Sequence, residues 1–193
     1  MTTKAEVTIY ISAASDLMAE REALARMIAA LPVKLAWRIL QTPLTEVDHL
    51  DLEALESADL YLLLMSSDIR APVGLEWLMA RRAGQSAITF LKRGVLRTPA
   101  AQVFINDVGT AWRFFQDAAD LSHQVQILLA EHLLHHAVRY SLTPAEVAEL
   151  EALPTSGTVP EHISKGQEAA HSAVILSRER YEPSGGVVVD DEK

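Results

Sequence analysis

One acidic side chain in this sequence sits where an acid is costly. The stretch "SSDIRAPVGLEWLMARR" spans residues 66–82, and from Pro72 onward it reads as a helix whose sole acid is Glu76. At about 100° per residue, Arg81 and Arg82 fall on one side of the helical wheel and Glu76 nearly opposite, among Val73, Met79, Ala80 and Ala83. Its neighbours three and four residues away are Pro72, Val73, Met79 and Ala80, so no cation of the same helix can pair with it. With the arginines in solvent, Glu76 faces the sheet side, where an unpaired carboxylate is strongly disfavoured or takes up a proton. A partner must come from elsewhere. The reading adopted is that Glu76 faces a cleft, where a ligand or water meets its charge; the alternative is that it caps a neighbouring loop or pairs with Arg21 or Arg38.

Other groupings carry less chemistry. His132, His135 and His136 in "EHLLHH" put two imidazoles four residues apart on one helical face, a spacing able to hold a metal. No flanking acid completes a zinc pattern and HExxH is absent, so they read as packing or surface histidines, and no metal is expected. Ser122 and His123 have no companion acid in a nucleophile elbow. The "PSGG" stretch lacks the Lys-Ser of a phosphate loop and reads as a turn.

The elements that must position Glu76 come from the alternation of short apolar runs with helical segments. Strands are predicted over residues 6–12, 34–41, 59–65, 86–92 and 101–107. Asp16 is the N-cap candidate of a first helix carrying Leu17, Leu24, Met27, Ile28 and Leu31 as far as Pro32. A short polar helix covers residues 48–58, and the Glu76 helix is entered through Pro72 and stops at Gly84. Such alternation predicts an α/β fold, a doubly wound, flavodoxin-like parallel sheet of about five strands with helices on both faces.

In an open parallel sheet the ligand crevice lies beyond the carboxyl ends of the strands, where the winding reverses. For the order 2-1-3-4-5 that point falls between strands 1 and 3. The loops there are "SAASD", residues 12–16, and "SSDIRAPVG", residues 66–74, both rich in hydroxyls and small side chains.

From Thr110 the pattern changes. Residues 112–140 read as one long helix with Leu121, Val125, Leu128, Leu129 and Leu133 on one side, packing on the sheet or on a second subunit. A capping box from Thr143 to Glu146, with Pro144 at the first position, restarts a helix. Residues 154–166 read as a linker and 172–191 as two short strands around a turn, a hairpin that must dock on this chain or a neighbour. The expected organisation is an α/β domain over residues 1–109, a helical extension over 110–153, and linker plus hairpin over 154–193. A homo-oligomer through the long helix and the hairpin is expected.

The bulk composition excludes several classes. A formal charge of −9 repels a phosphate backbone, and the basic spots at residues 91–97 and at Arg81 and Arg82 lack interleaved aromatics, so no nucleic-acid partner is expected. The absence of cysteine removes disulfides, thiolate zinc sites and thiol nucleophiles together. No apolar run approaches the roughly 20 residues that span a bilayer, and none follows the opening "MTTKAE", so no membrane partner and a cytoplasmic location are expected.

Two blocks carry a resemblance. A first strand ending in Ser12, followed by "SDLMAERE" with Asp16 and the Glu20-Arg21 pair, resembles the start of an uncharacterised TIR-like family, distantly similar to TIR domains and to nucleoside 2-deoxyribosyltransferases. "LYLLLMSSD", then Gly74-Leu75-Glu76 and Ala80, then "AITFLK", resembles its second block; together they cover residues 6–105. The resemblance implies a TIR-like fold that binds a nucleotide or nucleoside. In catalytic relatives a glutamate matching Glu76 acts on the glycosidic carbon of NAD or a nucleoside. A carboxylate in a partly desolvated cleft would stabilise the positive charge that builds on the sugar. Ser12, Asp16, Ser66, Ser67 and Asp68 are then candidates to hold the ligand, with Arg70 near a phosphate; NAD or a nucleoside is substrate, and no cofactor is expected. Where relatives carry a Ser or Thr just before the glutamate, this chain has "APVG". Many TIR-like domains are binding or assembly modules without turnover, which is the alternative function.

Overall fold

A computed structural model of the chain describes residues 6–43 and 51–153. The linker and hairpin expected over residues 154–193 lie outside the described residues. Five strands form one all-parallel sheet: β1 (Glu6–Ala13), β2 (Ala36–Gln41), β3 (Leu60–Met65), β4 (Ala87–Lys92) and β5 (Arg113–Phe115), in the order β2-β1-β3-β4-β5. The helices are α1 (Met18–Ala29), α2 (Leu52–Glu56), α3 (Ala71–Arg82), α4 (Pro99–Asp107), α5 (Ala118–His135) and α6 (Pro144–Glu151). This is a doubly wound α/β fold.

The two-residue period of the strands sorts their side chains between two cores. Val7, Ile9 and Ile11 with Leu60, Leu62 and Leu64 pack beneath α1, α5 and α6, while Tyr10, Tyr61, Leu63 and Met65 pack beneath α2, α3 and α4. β3 is therefore buried at all six positions, as a strand covered on both faces should be. Tyr10 and Tyr61 are opposite one another in the ladder, and their rings meet edge to face with centroids 6.2 Å apart. Ser12 lies on this same side of the sheet as Tyr10, which brings it under α3.

α3 is bounded by its sequence. Pro72 sits in its first turn, and Arg81 and Arg82 lie in its last turn, where the helix dipole favours cations. Gly84 takes φ +75°, which lets the Gln85 amide reach the Ala80 carbonyl at 2.9 Å and the Gly84 amide reach Arg81. The capping box expected at Thr143 and Glu146 is present at the start of α6.

Three expectations fail. The strand expected over residues 101–107 is α4: Thr98 caps it by accepting the Ala101 amide, Pro99 occupies its first turn, and Ala101, Phe104, Ile105 and Val108 recur at helical spacing. The fifth strand is instead Arg113–Phe115, within the segment read as the start of the long helix, and Asp117 caps α5 only after it. The sheet thus extends past residue 109. Of the two partners expected for the apolar side of this helix, the sheet is the one it meets, since Leu121, Val125, Leu129 and Leu133 are buried in the same core as β1 and β3. Asp16 caps no helix: it lies in a 3-10 turn, Ser15–Leu17, and α1 starts after Leu17 without a side-chain cap. Among the described residues no helix is long and apolar enough to cross a membrane.

Candidate functional site

α3 turns Val73, Glu76 and Ala80 toward the sheet, and Glu76 is fully buried there at 0% exposure. Its carboxylate is met by three hydroxyls. Tyr10 donates to Oε1 at 2.8 Å, Thr42 donates to Oε2 at 2.7 Å, and Ser12 makes a short hydrogen bond to Oε2. Two come from β1 and the third from the residue just past β2, so α3 is fastened to both strands at their carboxyl ends. The Thr42 hydroxyl accepts the Ala13 amide at 3.0 Å, which leaves its hydrogen for Glu76.

A buried cation stands behind this group. Arg21 of α1, 4% exposed, donates Nε to Gln41 Oε1 at 2.9 Å and Nη2 to the Thr42 carbonyl at 2.6 Å. Thr42 therefore stands between Arg21 and Glu76, and neither Arg21 nor Arg38 forms an ion pair with the carboxylate. Arg38 is exposed and faces Asp51 at 3.6 Å. Burial raises the pKa of Glu76, outweighing the three hydroxyls and the attraction of Arg21. Burial likewise lowers that of Arg21 despite the attraction of Glu76, and raises that of Tyr10, helped by the neighbouring carboxylate.

The crevice expected at the switch point exists, but Glu76 does not face it. A crevice of about 120 Å³ is lined by Ala13, Ala14 and Ser15 after β1, Thr42 and Pro43 after β2, and Arg70, Pro72 and Val73 at the start of α3. Glu76 lies beneath its floor, with Thr42 the one residue shared by both. Of the candidate site residues only Arg70 lines the crevice, its Nη1 donating to Ser15 Oγ at 3.1 Å.

The others are committed elsewhere. Ser12 is on Glu76. Asp16 accepts the Ser67 hydroxyl at 2.7 Å; burial would raise its carboxyl, but bonds from Ser67 and Ser66 prevail and lower it. Ser66 is itself buried. Asp68 accepts from the Thr98 hydroxyl at 2.6 Å and from the Ile69 amide at 2.9 Å, tying its loop to the start of α4. The histidines lie against one another and against Tyr140: the rings of His132 and His136 are tilted with centroids 4.7 Å apart, and His132 Nε2 is 3.0 Å from the Tyr140 hydroxyl.

Sequence reasoning missed Tyr10 and Thr42. Tyr10 was legible in principle, since it shares a strand face with Ser12. Thr42 follows the strand that the order 2-1-3 places beside β1, the one signal that singles it out. Compared with protein-family models and with curated proteins, the chain matches none.

Proposed function

We propose that the protein is a TIR-like binding module whose switch-point crevice takes the phosphate end of a small nucleotide-type ligand, without turnover through Glu76. The observation that carries this reading is the division of labour between the two levels of the site. Three protein hydroxyls occupy the carboxylate, one on Oε1 and two on Oε2, and it has no exposure, so it is shut off from a sugar carbon in the crevice. Arg70 and Ser15, by contrast, are exposed at the rim of the crevice. A guanidinium beside hydroxyls suits a phosphate. The space is well below the roughly 300–1,000 Å³ of pockets that enclose a drug-sized ligand, so a phosphate and part of a sugar are seated and the base lies outside.

Calorimetric and NMR titration with inorganic phosphate, AMP, adenosine and NAD tests the reading. Phosphate-bearing ligands are expected to shift the resonances of Ser15, Thr42 and Arg70, and Arg70→Ala is expected to weaken them about tenfold or more, the worth of a charge-assisted hydrogen bond, while adenosine is unaffected. No response from any of the four compounds overturns it. A second reading, cleavage of an N-glycosidic bond through Glu76, draws support from Thr42, which both lines the crevice and donates to the carboxylate. Displacement of that one side chain would open Glu76 to the crevice. Nicotinamide released from NAD by wild type and lost in Glu76→Gln would favour this second reading over the first.

A further inference from the structure

Two surfaces of the molecule, on opposite faces of the sheet, are both apolar and carry opposite charge at their edges. The outer side of α3 exposes Leu75 and Leu78, 42% and 43% accessible although leucine is ordinarily a core residue, and ends in the exposed Arg81 and Arg82. Neither arginine pairs with an acid among the described residues. This helix belongs to the layer that covers Tyr10 and Tyr61. On the other layer, between α5 and α6, lies a groove of about 120 Å³ walled by Ile127, Leu134, Leu150 and Leu153 and rimmed by Glu131 and Glu151. Both glutamates are exposed, and neither has a cationic partner among the described residues. An apolar ridge ending in two cations thus faces away from one side of the sheet, and an apolar groove edged by two anions opens on the other.

We propose that the occupant of the α5–α6 groove is a second copy of this chain, which inserts the Leu75 and Leu78 ridge of α3 and sets Arg81 and Arg82 against Glu131 and Glu151. The argument rests on charge complementarity and on the unpartnered leucines, and it is independent of what the crevice binds. The contact is heterologous, joining two different patches, so an isologous dimer does not satisfy it. Because the patches lie on opposite layers, the pair keeps one ridge and one groove free after the first contact, and association continues into an open stack. The contact is small and its charged pairs lie at the rim, so it is weak and sensitive to salt.

Sedimentation equilibrium of the full chain, from micromolar to millimolar concentration, tests it. The weight-average mass is expected to rise continuously above the 21.2 kDa of the monomer, without a plateau at twice that value, and to fall back as salt shortens the screening length from about 10 Å at 0.1 M to about 3 Å at 1 M. The double variants Arg81→Glu with Arg82→Glu, and Glu131→Arg with Glu151→Arg, should each weaken association about tenfold or more, since like charges then face one another. Mixing the two variants restores both pairings and should restore the assembly. All four residues are exposed, so circular dichroism and melting should match wild type; if either variant fails to fold, Leu78→Gln gives the same loss without reversing charge. A chain that stays monomeric throughout overturns the proposal and leaves the groove to another partner. A closed dimer, or association that the variants leave unchanged or that mixing does not restore, overturns it equally.

Discussion

Glu76→Ala and Glu76→Gln separate what the buried carboxylate does by charge from what it does as an acceptor. Both substitutions remove the charge, so its desolvation cancels when the two are compared. Alanine also strands the hydroxyls of Tyr10, Ser12 and Thr42, which are 1%, 0% and 3% exposed and of which only Thr42 borders the crevice. Glutamine keeps most of the arrangement. With its carbonyl in the place of Oε2 it still accepts from Ser12 and Thr42, and its amide can donate to Tyr10 in place of the bond Tyr10 now gives. At about 1–3 kcal/mol per stranded buried donor, two further losses and the void put alanine about 3–6 kcal/mol below glutamine. Against a total stability of about 5–15 kcal/mol that is a large fraction, and at about 2–4 °C per kcal/mol it separates the melting temperatures by about 6–24 °C. Urea unfolding with unchanged slope measures the difference directly. Alanine within about 1 kcal/mol of glutamine would refute the reasoning, because the three hydroxyls would then not depend on the carboxylate.

The same pair of proteins gives a pH signature. Burial raises the pKa of Glu76, so the folded protein holds this proton at a pH where the unfolded chain has released it. Its contribution to stability is fully present below the unfolded value and is lost as the pH rises through the folded one. Glu76→Gln lacks this titration, so the stability of wild type relative to the glutamine variant should fall from acid toward neutral pH. Asp16, Glu146 and the other carboxyls are present in both proteins and cancel. A wild-type advantage that grows toward neutral pH would mean that the hydroxyls and Arg21, not burial, dominate.

Thr42→Val removes the acceptor of the Ala13 amide and a donor to Glu76 while keeping the shape; a loss of about 1–3 kcal/mol in urea unfolding is expected, and no loss would detach Thr42 from the network. Lys92 lies 2.6 Å from Glu20, whose side chain is 5% accessible, so Lys92→Met strands a buried carboxylate at a cost of about 2–4 kcal/mol; adding Glu20→Leu should recover much of it, and failure to recover would assign the loss to packing. Thr143→Ala breaks the capping box of α6 and should cost about 1 kcal/mol by thermal unfolding. Glu146 accepts the Thr143 and Lys34 amides, which hold its carboxyl down at about 2, so its contribution is present above the unfolded value and lost as the pH falls toward about 2; Glu146→Gln should flatten that part of the acid unfolding curve.

The fold was legible wherever local pattern and global layout agreed. β3 could not be mistaken, since an uninterrupted apolar hexamer between a charged residue and a hydroxyl loop has few other uses. The misplaced fifth strand shows where pattern is ambiguous: "AQVFIND" contains β-branched residues, yet the start signal Thr98-Pro99 lies outside that window and decides in favour of a helix. β5 is three residues long, too short to alternate visibly, and its partner β4 supplies the register that "RFF" alone does not.

The site was half legible for a different reason. A helical wheel gives the angle at which a residue leaves its helix, and it places Glu76 toward the sheet. It does not give depth along the strands, and depth separates a carboxylate lining a crevice from one lying under its floor. That coordinate is set by Ser12 and Thr42, which reach Glu76 from the carboxyl ends of two strands and lie 64 and 34 residues from it in sequence. The hydroxyls close over the carboxylate because β1 and β2 are adjacent, a fact of strand order that becomes visible only when all five strands are laid side by side. The physical consequence is that the sequence exposes the cost of Glu76, an acid with no partner on its own helix, while the repayment is spread over elements that no single window contains.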